Sequence, residues 1–144
     1  MFRKIITTDN AQTTILIRLM VGIVFLSEGI QKFLFADQSG AGRFVKIGLP
    51  NPEFLGPFGG CFEIVCGLCV LIGVFTRLAV IPLIIIMLTA ISAAKIPILF
   101  NEGFWAMMHE SRTDWAMLLG NIFLLIKGSS RWSVDRKITN HRWK

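Results

Sequence analysis

The sequence predicts an all-α fold, a four-helix bundle integral to a membrane, with the N- and C-termini both cytoplasmic. Three observations carry this prediction. The first is composition: 53% of the 144 residues are hydrophobic and 17% are charged, with a mean hydropathy of +0.63. Soluble domains carry about 25% charged residues. The second is a set of four apolar stretches, near the roughly 20 residues that a crossing needs. The third is the placing of the basic residues. Arg3 and Lys4 precede the first stretch, Arg77 lies between the second and third, and Lys127, Arg131, Arg136, Lys137, Arg142 and Lys144 come after the fourth. An even number of crossings puts these nine on one side. The opposite loops hold Arg43, Lys46 and Arg112, with Lys32 and Lys95 near the span ends. The positive-inside rule then assigns the richer side to the cytoplasm.

Residues 1–12 are a short cytoplasmic lead. Its Arg3 and Lys4 before an apolar run resemble a signal peptide, but the run is long, lacks a small-residue cleavage site and is succeeded by further spans, so it is read as retained. Span one is Thr13–Phe35. Residues 36–56 form the longest loop, with four glycines and two prolines, which predicts irregular turns. Its Phe44, Val45, Ile47, Leu49, Phe54 and Leu55 are too apolar for free solvation and place it on the bundle mouth or the membrane interface.

Span two is Pro57–Phe75, with a tight turn at Thr76-Arg77 into span three, Leu78–Leu99, where Pro97 marks the exit. Span four is His109–Lys127. Its uninterrupted apolar run, Trp115–Ile126, would give only about 18 Å of helix against a core of roughly 30 Å. The crossing must therefore begin among His109, Glu110, Arg112 and Asp114, and lipid will not accept that group fully exposed. Trp105 and Trp115 suit the outer interface, Trp132 and Trp143 the inner one. The basic tail, 128–144, can rest on anionic headgroups.

Cys61, Cys66 and Cys69 all fall in span two, the last two as C-x-x-C. A reactive thiolate of that spacing works at a helix N-terminus. Deep in an apolar helix it is disfavoured, so small core residues rather than a redox pair are the expectation for Cys66 and Cys69.

Charge inside an apolar span costs roughly 2.5–3.5 kcal/mol and turns inward to a partner or water. Counting depth from the span ends places Glu28, Lys32, Glu63, Lys95, His109 and Asp114 in one outer layer, drawn from all four spans. These six are the candidate ligand-binding residues, with Glu28 and Glu63 the candidate proton-handling groups. Glu28 precedes Lys32 by four, a favourable local ion pair. Arg18 and Arg77 form a separate inner set. Positions 18, 22, 25, 29 and 32 make one helical seam, and Glu63, Gly67, Val70, Val74 and Arg77 a second. Gly22, Gly29 and Gly67 permit close backbone approach, so the two seams are expected to face each other. The bland alternative is that the embedded charges only pair and fix helix register.

Absences narrow the class. The two histidines, His109 and His141, fall on opposite sides, which argues against haem held between two of them. The sequence has no dinucleotide-binding, phosphate-loop, zinc-protease or serine-hydrolase motif, and no metal site is expected. The net charge of +6 is a topology signal and not a nucleic-acid one. Without a resident redox centre, electrons would come from a partner protein or a diffusible quinol.

The motifs Arg18-x3-Gly22-x2-Phe25-x3-Gly29-x2-Lys32, Glu63-x3-Gly67, Gly73-x2-Thr76-Arg77-x-Ala79 and the tail GSSRWSVDR from Gly128 to Arg136 resemble, in this order, the DoxX family of small four-helix membrane proteins. The likeness covers about Arg18 to Arg136. It implies a bacterial inner-membrane protein, with relatives that include a subunit of a thiosulfate:quinone oxidoreductase, proteins of quinone, catechol or oxidative stress, and distant non-enzymatic cargo receptors. Gly128-Ser129-Ser130 departs from the family's Gly-Pro-Gly before Ser133-x-Asp135.

Three functions compete on these residues. One is a quinone-linked oxidoreductase subunit needing a redox partner, another a non-enzymatic scaffold for a soluble redox protein, and the third a small-molecule exporter working as a homo-oligomer.

Overall fold

The computed structural model describes residues 12–130 and 132–141; Arg3, Lys4, Arg131, Arg142, Trp143, Lys144 and the side chain of His141 lie outside them. All regular structure among the described residues is helical. α1 is Thr14–Leu34, α2 Ala41–Lys46, α3 Pro52–Ile72 and α4 Thr76–Ala90. A π-helical turn, Ile91–Lys95, carries α4 without interruption into α5, Ile96–Glu102. α6 is Phe104–Glu110, α7 Arg112–Lys127 and α8 Val134–His141.

The long helices contact in a closed ring: α1 on α3, α3 on α4, α4 on α7 and α7 back on α1. The α1–α3 contact is the most extensive, and its cause is the glycines. A Cβ at Gly22 would come within 3.1 Å of the Gly67 carbonyl, and one at Gly29 within 2.9 Å of the Gly60 carbonyl and 3.0 Å of the Glu63 Cβ. With Gly22, Gly29, Gly60 and Gly67 all buried, the two backbones sit against each other. Val21, Phe25, Val70, Val80, Leu83, Met117 and Leu124 fill the centre of the ring.

Three helices are long and apolar enough to cross a membrane: Thr14–Leu34, Pro52–Ile72 and the continuous Thr76–Glu102. Their outward faces are apolar, with Leu16, Ile23, Ile30, Leu68, Ile72 and Ile81 all exposed. Scattered exposed apolar residues are ordinary in soluble proteins. An apolar belt around every long helix is what lipid contact requires.

Several boundaries differ from expectation. The second apolar helix starts at Pro52, five residues before Pro57, because Pro52 occupies the first turn, where a missing N–H costs nothing. Residues 36–51 hold a short helix, α2, instead of irregular chain throughout. Pro97 does not end the third helix. It falls two residues beyond the π turn, and the helix continues to Glu102. The expected fourth span, 109–127, is broken at Ser111, whose Oγ donates to the Met107 carbonyl at 2.6 Å and closes α6. Beyond the break, α7 has 16 residues, about 24 Å of helix. The three cysteines are free thiols: Cys66 belongs to the core, Cys69 packs against it and Cys61 is exposed.

Candidate functional site

The charges of α1 divide between its two ends, and the surroundings of each end differ. At the N-terminal end Arg18 is buried and donates to the Ser130 hydroxyl at 3.0 Å and to the Trp132 carbonyl at 2.7 Å. Asp135 completes this region. Its carboxylate accepts the Phe75 N–H at 2.7 Å, the Thr76 N–H at 3.2 Å and the Ser129 hydroxyl at 3.1 Å, and it lies within electrostatic reach of Arg18. Its own N–H donates to the Gly73 carbonyl at 3.0 Å. The tail thereby caps the α3–α4 turn, which contains two left-handed residues, Gly73 at φ 76° and Phe75 at φ 45°. Gly73 is required there for a second reason: a Cβ would meet the Ser133 Cβ at 2.6 Å and the Arg18 guanidinium at 2.9 Å. Phe75 lacks glycine's freedom, and its conformation costs about 1–3 kcal/mol. The Asp135 hydrogen bonds to its N–H and to that of Thr76 offset this cost. Arg77 lies on the next turn and donates to the Ile126 carbonyl at 2.7 Å, near the C-terminus of α7.

At the C-terminal end of α1 the helices part around a cavity of about 480 Å³. Its walls come from α1, α3, α4, the π turn and α7, and residues of 36–51, among them Arg43 and Phe44 on α2, close over it. Two ion pairs join neighbouring helices at the edge of this space. Lys32 on α1 pairs with Glu63 on α3, whose side chain is 2% exposed. Lys95 in the π turn pairs with Asp114 on α7 at 3.5 Å and donates to the Glu110 carbonyl at 3.0 Å. A π turn adds a residue to the helical period and rotates the helix beyond it. Lys95, its last residue, is buried and lines the cavity.

Five of the six residues assigned to one layer from sequence therefore line one cavity: Glu28, Lys32, Glu63, Lys95 and Asp114. His109 does not. It is exposed on α6, where its ring lies 3.2 Å from the Arg112 guanidinium. Its neighbour Glu110 reaches the lining, but the His109 ring is turned to Arg112 on the exposed side of the turn. The expected Glu28–Lys32 pair is also not the one formed. Lys32 turns to Glu63 because an almost fully buried carboxylate loses more hydration than the half-buried Glu28 and gains more from a partner. Glu28 lines the cavity with no ion pair to a cation among the described residues.

Two contributors lie outside the six candidates. Glu110 joins the lining, and Arg43 on α2 lines the cavity within electrostatic reach of Glu63. The signal for Arg43 is its place in a loop whose apolar residues demand cover. No group of three metal-ligating side chains occurs among the described residues.

The arrangement has carboxylates and ammonium groups side by side under apolar walls that include Val24, Phe25, Phe58, Ile85, Ile86 and Met117. Such a site suits a ligand with a polar head and an apolar body.

Comparison with known proteins agrees with the architecture. The sequence pattern of the DoxX family matches residues 13–96. An uncharacterized membrane protein of Mycobacterium tuberculosis is 49% identical over 142 residues, covering 94% of this chain and 87% of the relative. A Bacillus subtilis protein named "Putative oxidoreductase CatD" is 28% identical over 123 residues, covering 85% of this chain and 84% of the relative. No solved structure gives a significant match.

Proposed function

The chain belongs to the DoxX family of membrane proteins, and from that premise we propose that it is a quinone-linked redox subunit of the bacterial inner (cytoplasmic) membrane. In this reading α7 makes a fourth crossing beside the three long helices. Both termini face the cytoplasm, which puts the cavity in the outer half of the bundle. A quinone-type headgroup sits among Glu28, Lys32, Glu63, Lys95 and Asp114, and its tail leaves between helices into lipid. The carboxylates exchange protons with the headgroup, and a partner protein exchanges electrons.

The observation that carries this reading is the cavity. Two ion pairs alone would be served by a filled interior, in which embedded charge merely fixes helix register. Here the charges border about 480 Å³ of space with largely apolar walls. The oxidoreductase name of the Bacillus subtilis relative supports the redox class.

The test is equilibrium binding of a decyl-substituted benzoquinone to the purified protein in nanodiscs, for wild type, Glu63→Gln and Lys32→Met. Saturable binding in wild type, weakened at least about tenfold in both variants with helicity retained, is expected. No saturable binding in wild type would overturn the quinone reading.

A further inference from the structure

The polar groups of the cavity are not equally committed. Glu63 is held by Lys32. Lys95 spends one donor on the Glu110 carbonyl and faces Asp114. Leaving aside Glu110, which is exposed, two acceptors remain. Glu28 lines the cavity and has neither an ion pair nor a hydrogen bond to its carboxylate among the described residues. Asp114 Oδ2 is buried and accepts no hydrogen bond from them, its ion pair to Lys95 at 3.5 Å being too long for one. These acceptors lie on α1 and α7, helices that contact each other.

An ionised carboxylate only accepts hydrogen bonds. A ligand carbonyl placed against Glu28 or Asp114 would set lone pair against lone pair. A ligand hydroxyl would donate to either, and its oxygen could still accept from Lys32, one turn along α1 from Glu28. Hydrogen bonds of this charge-assisted kind are roughly twice as strong as neutral ones.

Resting on the quinone reading above, we propose that the cavity selects the hydroxyl-bearing form of its ligand, a hydroquinone over the corresponding quinone, and that Glu28 is the residue that sets this preference. The ligand hydroxyl donates a hydrogen bond to Glu28, Lys32 donates to the same oxygen, and Asp114 stands ready to accept from a second hydroxyl. A quinone carbonyl gains nothing from either carboxylate and has only the cationic donors of the lining, Lys32, Lys95 and Arg43.

The experiment measures dissociation constants for decyl-benzoquinone and for its hydroquinone, kept reduced under anaerobic conditions, on the same nanodisc protein. Wild type is expected to bind the hydroquinone about tenfold more tightly, the worth of one charged hydrogen bond. Glu28→Gln should bring the ratio of the two constants toward one, chiefly by weakening the hydroquinone, and Glu28→Asp should restore part of it. Equal binding of the two forms by wild type, or an unchanged ratio in Glu28→Gln, would overturn this inference while leaving the quinone reading standing. Failure of wild type to bind either form would overturn the reading beneath it and this inference with it. The wild-type ratio needs no variant, so a poorly folding Glu28→Gln leaves the inference exposed to refutation.

Discussion

Arg18 and Lys32 lie on one seam of α1, about 21 Å apart along the helix, and the two ends treat buried charge in opposite ways. Around Arg18 protein groups take both terminal nitrogens of the guanidinium, while its buried Nε has no hydrogen-bond partner among the described residues. The tail folds in, Ser130 and Trp132 take the guanidinium, and Asp135 collects two backbone N–H groups and a hydroxyl from the turn it caps. Around Lys32 the charges also pair, but the pairs stand at the edge of open space. Charge alone therefore does not mark a site. Charge that has been filled around is a lock; charge bordering a void, with acceptors left over, can serve a ligand.

The comparison can be broken most severely at the lock. Asp135→Ala strips the partners from the Phe75 and Thr76 N–H groups and leaves Arg18 without its nearest buried opposite charge. A loss of about 3–5 kcal/mol is expected, read as a fall in thermal unfolding temperature in detergent. Any protein that stays folded should bind quinone as wild type does. Reduced affinity in the folded fraction would mean that the two ends are not independent.

Next in size is the Lys32–Glu63 pair. Lys32→Met leaves a buried carboxylate alone and should destabilise by about 3 kcal/mol. Adding Glu63→Gln to it should recover part of that loss, because the pair's worth lies mainly in mutual compensation. Chemical denaturation of the single and double variants decides this. A double variant less stable than Lys32→Met would contradict it.

The glycine seam between the ends gives a smaller effect. At Gly29 an added methyl meets a backbone carbonyl at 2.9 Å, whereas at Gly22 the nearest obstacle is the flexible Leu71 side chain. Gly29→Ala should cost about 1–3 kcal/mol, and Gly22→Ala less. Unfolding temperatures in the reverse order would show that α1 and α3 adjust more easily than their close approach implies. The smallest effect is reserved for His109→Ala. The ring is exposed and outside the cavity, so stability should move by no more than about 0.5 kcal/mol and quinone affinity not at all. A tenfold loss of affinity would return His109 to the site.

Much of the cavity's chemistry is legible in the sequence because membrane depth is a one-dimensional coordinate. Counting from span ends puts Glu28, Lys32, Glu63, Lys95 and Asp114 at one level, and the structure joins them around one cavity. Depth does not give azimuth or partner choice. Sequence spacing therefore matches Lys32 to Glu28, its neighbour along the helix, and not to Glu63, which has more hydration to lose. His109 has the right depth but the wrong azimuth: it is exposed, while Glu110 beside it lines the cavity. Arg43 escapes because a helix of six residues inside a glycine-rich loop has no periodicity to read. The π turn that presents Lys95 has only Pro97 as a signal, and a proline there reads more naturally as a helix end.

In the reading proposed above, the protein works at the void beside the ion pairs. Ala90→Phe on α4 puts a bulky ring into that void from a lining position and leaves every charge in place. Decyl-benzoquinone binding to this variant in nanodiscs is the most direct measurement. The account predicts that saturable binding disappears while helicity and the unfolding temperature remain near wild type. Binding of wild-type strength in the Ala90→Phe variant would show that the ligand sits elsewhere and that the charges around the cavity serve only to hold the helices together.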